Sequence, residues 1–307
     1  MAYQTNTASV ASQDSLLIAW SIFLTTNGWT QDNLAVDGNG YRFHAHKGSL
    51  FLNMRSRTTG DNFGLSETAV DGICMNLGTS YSSGLGWYEQ PGASTLTYNR
   101  FAQTFDLTDA EEYHFFIDGD THGMAVLSSG GHWNFLAFGE TNKGDIWYSG
   151  SLSMKASGTS PAYLLPLHFL NAGLANSTGY ASCASAIYHN STWKYWARTG
   201  FGQASPSESH FQSAFGLNYP MLLHGVDSFS GGRALVVPEI LSDAGSGYLN
   251  ALGALEDSLA LYNGLNDTQG REMILGADTY MVFQATGTYA YPVPTDAGIA
   301  YAFKKVL

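Results

Sequence analysis

The residues best suited by type and spacing to do chemistry are Asp118 and Asp120, held apart by Gly119, with His122 and His132 close behind. Paired carboxylates beside imidazoles can hold a divalent cation or divide the acid and base roles of a hydrolysis. Asp-Gly between two apolar runs is also the strongest short hairpin signal, and that reading explains both aspartates without chemistry. Acids at a hairpin tip stand in water instead of flanking a substrate, which disfavours a hydrolase of cell-wall or capsule sugar built on Asp118, Asp120 or Glu111. Glu111 and Glu112 read as a solvated pair ahead of the strand. A second set, Arg42, His44 and His46, falls on alternate positions and so on one side of a strand. His-x-His can bring two imidazoles to one metal, but no third ligand or orienting partner lies nearby in sequence, and a solvated polar face is the plainer reading. Gly84-Leu85-Gly86 lacks the further glycine, the lysine and the strand-to-helix setting of a nucleotide loop. The chain is therefore expected not to be an enzyme, with no catalytic residue, no metal ligand and no cofactor.

What must position these residues is mostly strand. Between 112 and 154 the chain reads as a meander: an aromatic run over 113–118, a strand over 121–127 carrying Met124 and Val126, another over 132–138, and a last one with Ile146, Tyr148, Leu152 and Met154 opposite Ser149, Ser151 and Ser153. Upstream, Tyr41, Phe43 and Ala45 alternate with Arg42, His44 and His46. After Lys47-Gly48-Ser49, Leu50, Leu52 and Met54 alternate with Phe51, Asn53 and Arg55, which predicts a hairpin. A polar turn over 58–64 and a strand over 70–77 follow, the latter with Ile73, Met75 and Leu77 on one face. Ahead of all this, Leu16, Leu17, Trp20, Phe23 and Leu24 form one stripe of a helix, with Ser12 or Asp14 to cap it and Asn27-Gly28 to end it. Such a stripe must lie on the following sheet or on another subunit.

The loop over 79–97 carries Gly84, Gly86, Pro91 and Gly92 with Tyr81, Trp87 and Tyr88, the composition of a recognition or subunit-contact loop. Beyond 161 small and aromatic residues follow no clean period. There Tyr188, Trp193, Tyr195, Trp196 and Phe201 gather around Lys194 and Arg198, as a sugar-stacking platform or, preferably, an interface anchor. Further on, 233–241 is a strand whose Pro238 points to an edge or strand end. The stretch 245–261 has leucines at near-helical spacing weakened by Gly253, 278–285 is a strand, and 298–303 is the last. The expected fold is mainly β: an antiparallel β-sandwich or meander-rich domain with an N-terminal amphipathic helix. It divides into a helical arm (1–26), an antiparallel β region (27–160), an aromatic-rich insertion or loop region (161–230) and a C-terminal β region completing the same domain (231–307).

Charged residues are 12% of the chain, against about 25% in typical globular proteins, while Gly numbers 35, Tyr 18 and Phe 17. A surface so poor in charge suits a protein covered by neighbours, or one that binds sugars through aromatic and amide groups. A net charge of −12 without a basic run excludes sequence-independent nucleic-acid binding as an expectation. The most apolar stretch, 16–24, is far short of the ~20 residues of a membrane helix and lacks the flanks of a signal peptide. Cys74 and Cys183 are too few for a disulfide framework and read as reduced thiols. A chain made and used without export is expected, so the three Asn-x-Thr matches at Asn176, Asn190 and Asn266 carry no meaning as glycosylation sites.

Set side by side, FLTTNGWTQ followed by GYRFHAHKGSLFLNMRS resembles the opening of a group of virion structural proteins of tailed bacteriophages. HWNFLAFGETNKGDIWYSGS in the centre, and RALVVPEI, YLNALGAL, GADTYMVFQ and GIAYAF towards the end, are similar to the same group. The likeness leaves 161–230 largely uncovered. It implies a β-rich building block repeated around the axis of a neck, tail or baseplate, without enzymatic activity and with no site residues to carry over. The partners are then copies of the chain and other virion proteins, with no nucleic acid and no membrane, and its place is the virion, assembled in the host cytoplasm. The expected contact residues are Leu16, Leu17, Trp20 and Phe23 on the helix, Trp87 and Tyr88 in the loop, and Trp193, Tyr195, Trp196 and Arg198 in the aromatic cluster. The alternative is a tail-tip receptor- or carbohydrate-binding protein that grips a host-surface glycan.

Overall fold

Ala2–Asn6 forms a strand, β1, which no periodicity announces; its partner is more than a hundred residues away in the chain. The computed structural model describes residues 2–6, 11–57, 72–93, 102–104, 110–117, 123–129, 132–140, 147–152, 186–189, 191–196, 210–213, 235–243, 250–262, 271–284 and 299–305. Helix α1 (Gln13–Thr26) begins where its cap was expected. Ser12 accepts from the Ser15 backbone N–H at 3.1 Å while Ser15 Oγ accepts from the Ser12 N–H at 3.0 Å, so two orphan amide donors are satisfied reciprocally. Asn27 closes the helix, its side chain donating to the Phe23 carbonyl.

Strands β2 (Thr30–Asp37), β3 (Gly40–Lys47), β4 (Leu50–Arg57), β5 (Gly72–Gly78) and β6 (Ala102–Thr104) form a five-stranded antiparallel sheet in chain order. The expected hairpin is β3 and β4, turning at Gly48 with φ +58. β2 was not legible, because Thr30, Gln31, Asp32 and Asn33 interrupt its apolar positions. Pairing Phe43 with Met54 and Met54 with Met75, and Ala45 with Leu52 and Leu52 with Leu77, stacks one apolar face under the helix. Ser56 Oγ donates to the Asp14 carboxylate, tying the helix start to β4.

The meander appears as β7 (Ala110–Ile117), β8 (Gly123–Ser129), β9 (His132–Glu140) and β10 (Trp147–Leu152). It continues through β11 (Ala186–His189), β12 (Thr192–Trp196), β13 (His210–Ser213), β14 (Leu235–Asp243), β15 (Asn250–Tyr262), β16 (Arg271–Leu275), β17 (Asp278–Gln284) and β18 (Ile299–Lys305). Together with β1 these make a thirteen-stranded sheet, ordered β1-β7-β8-β9-β10-β11-β12-β13-β14-β15-β18-β17-β16. Every pairing in it is antiparallel except that of β12 with β13. Three stretches that read weakly or not at all in the sequence contain strands. The near-helical leucine spacing of 245–261 belongs to the strand β15, whose register shifts opposite β14 absorb the mismatch. The stretch 161–230, expected irregular, holds β11, β12 and β13. Strand β16 had no recognised signal. Pro238 lies inside β14 where the register shifts, and β13 pairs only with residues 241–243, so its missing N–H is not needed on that side.

One apolar layer joins the two sheets. Trp20 meets Phe115 and Phe138 at ring-centroid separations of 4.8 and 6.2 Å, and Trp29 meets Phe138 edge-on at 5.4 Å. Leu16, Leu17, Trp20, Phe23 and Leu24 are buried there with Phe43, Leu52, Met54, Ile73, Met75 and Leu77. Full burial of each such side chain contributes about 1.5–3 kcal/mol before conformational entropy is subtracted, so the helix stripe anchors the fold. On the opposite face of β7, Phe116 meets Phe283 and Phe303 of β17 and β18. Gly123 is required where β8 passes Phe138, because a Cβ there would stand 2.3 Å from the ring.

Candidate functional site

The face of the five-stranded sheet turned away from the helix is polar, and its register sets residues in rows. Arg42 pairs with Arg55 and Arg55 with Cys74; His44 pairs with Asn53 and Asn53 with Asn76; His46 pairs with Phe51 and Phe51 with Gly78. The sequence suggests a solvated face. Instead His44 and Asn53 are each 1% exposed, Asn76 2% and Arg55 3%.

The cover is the segment over 79–93. Its base is closed by Thr79, whose N–H and hydroxyl both donate to the Pro91 carbonyl, at 2.8 and 3.1 Å. Ends this close make residues 79–91 an Ω-loop, a compact loop packed by its own side chains. Inside it Gln90 is buried: Oε1 accepts from the Ser82 N–H at 2.7 Å, and the amide faces the Ser82, Leu85 and Gly86 carbonyls at 3.0–3.2 Å. Tyr81 lies over His44 at a ring separation of 4.9 Å, and Trp87 is buried against Cys74. From the other sheet, Trp193 donates its indole N–H to the Gly92 carbonyl at 2.8 Å.

At the rim, Arg55 and His46 each meet a carboxylate. Arg55 donates through Nε to Asp37 Oδ2 at 3.0 Å, through Nη2 to the Asp37 carbonyl at 2.6 Å and through Nη1 to the Ser56 carbonyl at 2.8 Å. His46 meets the Asp32 carboxylate at 2.9 Å and stacks on Phe51. The middle row is different. His44 Nδ1 lies 2.7 Å from Asn53 Oδ1, so that nitrogen carries the proton and Nε2 presents a lone pair. Burial lowers the His44 pKa below its ordinary value; the Asn53 bond opposes this and the Arg42 charge adds to it. Among the described residues, His44 Nε2, Asn53 Nδ2, Asn76 Nδ2, Asn33 Oδ1 and Arg42 Nε are buried without a hydrogen-bond partner.

A second polar cluster holds β1. The Tyr3 hydroxyl lies 2.9 Å from His114 Nδ1, and His114 Nε2 lies 3.6 Å from Glu112 Oε1. Lys305 Nζ stands over the Tyr3 ring and pairs with Glu272 at 2.5 Å. A phenol, an imidazole and a carboxylate in series could relay a proton. Burial, however, raises the Tyr3 pKa and keeps the phenol protonated, so the arrangement acts as a clamp.

The structure distributes the expected contact residues between the core and the surface of the chain. Leu16, Leu17, Trp20 and Phe23 are at most 4% exposed in the chain's own core, because the helix stripe lies against both sheets. Trp87 is buried under the loop it belongs to, and Tyr88 packs against it half-buried. Trp193 is half-buried on the core, beside Tyr188. Tyr195 and Trp196 lie in β12, and Arg198 falls outside the described residues. Asp118, Gly119, Asp120 and His122 also fall outside them, although the flanking strands pair antiparallel from Ile117 and Gly123 onward. His132 begins β9, Glu111 lies in β7, and Glu112 faces His114. Cys74 is buried on β5, and Cys183 is outside the described residues. The row His44, Asn53, Asn76 was missed. Its signal was polar side chains recurring on the same face of three consecutive strands.

Comparison with protein-family models finds none that matches, and comparison with curated proteins finds no relative. Among the described residues no three His, Cys, Asp or Glu side chains converge as a metal site would require, and no helix is long and apolar enough to cross a membrane.

Proposed function

We propose that this chain is a structural subunit of a tailed-bacteriophage virion, a neck, tail or baseplate component that assembles through subunit contacts into a ring or collar. The observation that carries this reading is the placing of large apolar side chains at sheet ends. Ile274 is 76% exposed on β16, the last strand of the large sheet, and Val36 is 67% exposed on β2, the first strand of the small one. In a chain with 12% charged residues, such edges suit burial by further copies. The resemblance in FLTTNGWTQ and GYRFHAHKGSLFLNMRS points the same way. In this reading the two sheets and the layer between them work as one β-sandwich-like brick. Light scattering on the purified protein, with mass spectrometry of phage particles, tests it: assembly into a closed oligomer that is present in particles is expected, and a monomer absent from particles overturns it.

The second reading, a tail-tip protein that binds a host-surface glycan, is favoured by Trp193 seated on the Ω-loop beside the polar face. Glycan-array binding that disappears in Trp193→Ala and Trp196→Ala would support it.

A further inference from the structure

We propose that the segment over 79–93 is an acid-opened strap: protonation of His44 beneath it releases the segment as one piece and uncovers the polar face of the five-stranded sheet, while both sheets stay folded. The strap lies directly on that face. Tyr81 stands over the His44 ring at 4.9 Å, and a Cβ on Gly78 would lie only 2.9 Å from the Pro91 carbonyl and 3.2 Å from Asn53 Nδ2. Under this cover His44 has nowhere to place a second proton. Its Nδ1 already faces Asn53 Oδ1 at 2.7 Å, which aims Nε2 away from Asn53, and Nε2 has no hydrogen-bond partner among the described residues. Protonation therefore sets a charged N–H donor on a residue 1% exposed, with no acceptor to meet it. Lifting the strap gives that donor to water. Asn53 Nδ2 and Asn76 Nδ2, buried without a hydrogen-bond partner among the described residues, gain water in the same movement at any pH, which lowers the cost of opening.

Burial is the largest influence on His44 and holds its pKa below the ordinary value in the closed form. The charged groups around it do not reverse this. Arg42, on the same side of β3, disfavours a further positive charge. Asp32 and Asp37 of β2 favour one, but they face His46 and Arg55 at 2.9 and 3.0 Å. On this face β5 adds Cys74 and Asn76, and the strap adds Tyr81 together with Glu89, which is exposed and accepts from the Gly86 N–H. The open form, with His44 in water, takes up its proton from about pH 6.5 downward, and the closed form does so only at lower pH. Acid therefore favours the open form.

The strap can move as a unit because the bonds that keep its shape are its own, Thr79 with Pro91 and Gln90 with Ser82, Leu85 and Gly86. Its latch to the large sheet is the Trp193 indole N–H on the Gly92 carbonyl. The inference rests on the covered face and not on the virion reading, which stands or falls on oligomer state.

The test is peptide-resolved hydrogen exchange on the full chain at pH 7.5, 6.5 and 5.5, with rates corrected for the intrinsic effect of pH. Protection over 79–93 is expected to fall severalfold from pH 7.5 to 5.5, with about tenfold as the ceiling for one histidine of ordinary pKa, while β3, β4 and β5 keep theirs. His44→Gln is expected to abolish the fall and His46→Gln to retain it. Protection over 79–93 that does not change with pH overturns the proposal. So does an equal fall in His44→Gln, loss of the fall in His46→Gln, or a fall shared with β3 to β5. If His44→Gln does not fold, Trp193→Phe keeps a ring and removes the donor to Gly92: faster exchange confined to 79–93, with the same pH trend, upholds the strap, and unchanged exchange there overturns it.

Discussion

Tyr3 places its hydroxyl 2.9 Å from His114 Nδ1, across the outer pair of strands in the large sheet. The Glu112 carboxylate, 3.6 Å from Nε2, favours the tautomer with the proton on Nε2, in which Nδ1 accepts from the phenol. Tyr3→Phe then leaves a buried imidazole acceptor unmet, at a cost of about 1–2 kcal/mol. Urea unfolding should show that loss, and hydrogen exchange should show β1 opening before β7. Unchanged stability would mean the bond contributes nothing.

His114 and His44 are both held below the ordinary histidine pKa, mainly by burial, with Glu112 and Asn53 respectively opposing the shift. A histidine depressed in the fold is protonated first in the unfolded chain. As pH falls through about 6.5 the unfolded state therefore takes up more protons, and stability present at neutral pH is lost down to the folded values. Unfolding free energy measured at pH 7.5, 6.5 and 5.5 should fall with acidification. His44→Gln should flatten part of that slope; a slope of opposite sign would contradict the burial argument.

Gly123 faces Phe138 with no room for a side chain, since an added Cβ would stand 2.3 Å from a fully buried ring. Gly123→Ala must displace Phe138 from its contacts with Trp20 and Trp29, and is expected to cost about 1–3 kcal/mol. Gly84→Ala, where nothing lies within 4 Å, is the matched control and should be near neutral by thermal melting.

How much of this could be read beforehand follows from how local each signal is. The helix was legible because Ser12, the Leu16 to Leu24 stripe and Asn27-Gly28 lie within one short stretch. The β3 and β4 hairpin was legible for the same reason, through Gly48 and the flanking alternation. Strand β1 was not, because its register is set by β7 far along the chain. His44, Asn53 and Asn76 alternate as a solvated face would; only the Ω-loop, whose Gly and Pro content carries no periodicity, decides that they are covered. The burial of the helix stripe in the chain's own core was not legible on a related ground. Apolar stripes such as Leu16, Trp20 and Phe23 record the need for burial, and a sequence does not say whether the chain's own sheet or a neighbour supplies it.

Gln90 holds the Ω-loop together from inside, with its side chain bonded to Ser82, Leu85 and Gly86. Gln90→Leu keeps the volume and strands the Ser82 N–H and the carbonyls it served, an expected loss of about 1–3 kcal/mol. Because the loop covers Trp87 and His44, the loss should be local. Acrylamide quenching of tryptophan fluorescence should rise and amide exchange over 79–93 should quicken, while β7 to β9 keep their protection. Uniform loosening of the whole chain would show instead that the loop folds as part of the core.

Ile274 and Val36 stand at opposite ends of the strand orders, each on an outermost strand and each largely exposed. An exposed position adds little to the stability of the single chain, so Ile274→Asp and Val36→Asp should each change it by no more than about 0.5 kcal/mol. Charge on an edge strand opposes extension of the sheet by a neighbour. If these edges are where copies meet, each variant should shift the assembly equilibrium towards monomer by at least tenfold in sedimentation velocity, with the melting transition of the monomer preserved. Loss of assembly in one variant alone would locate the contact on that edge. Retention in both, alongside an intact oligomer, would move the contact elsewhere and remove the observation on which the ring reading depends.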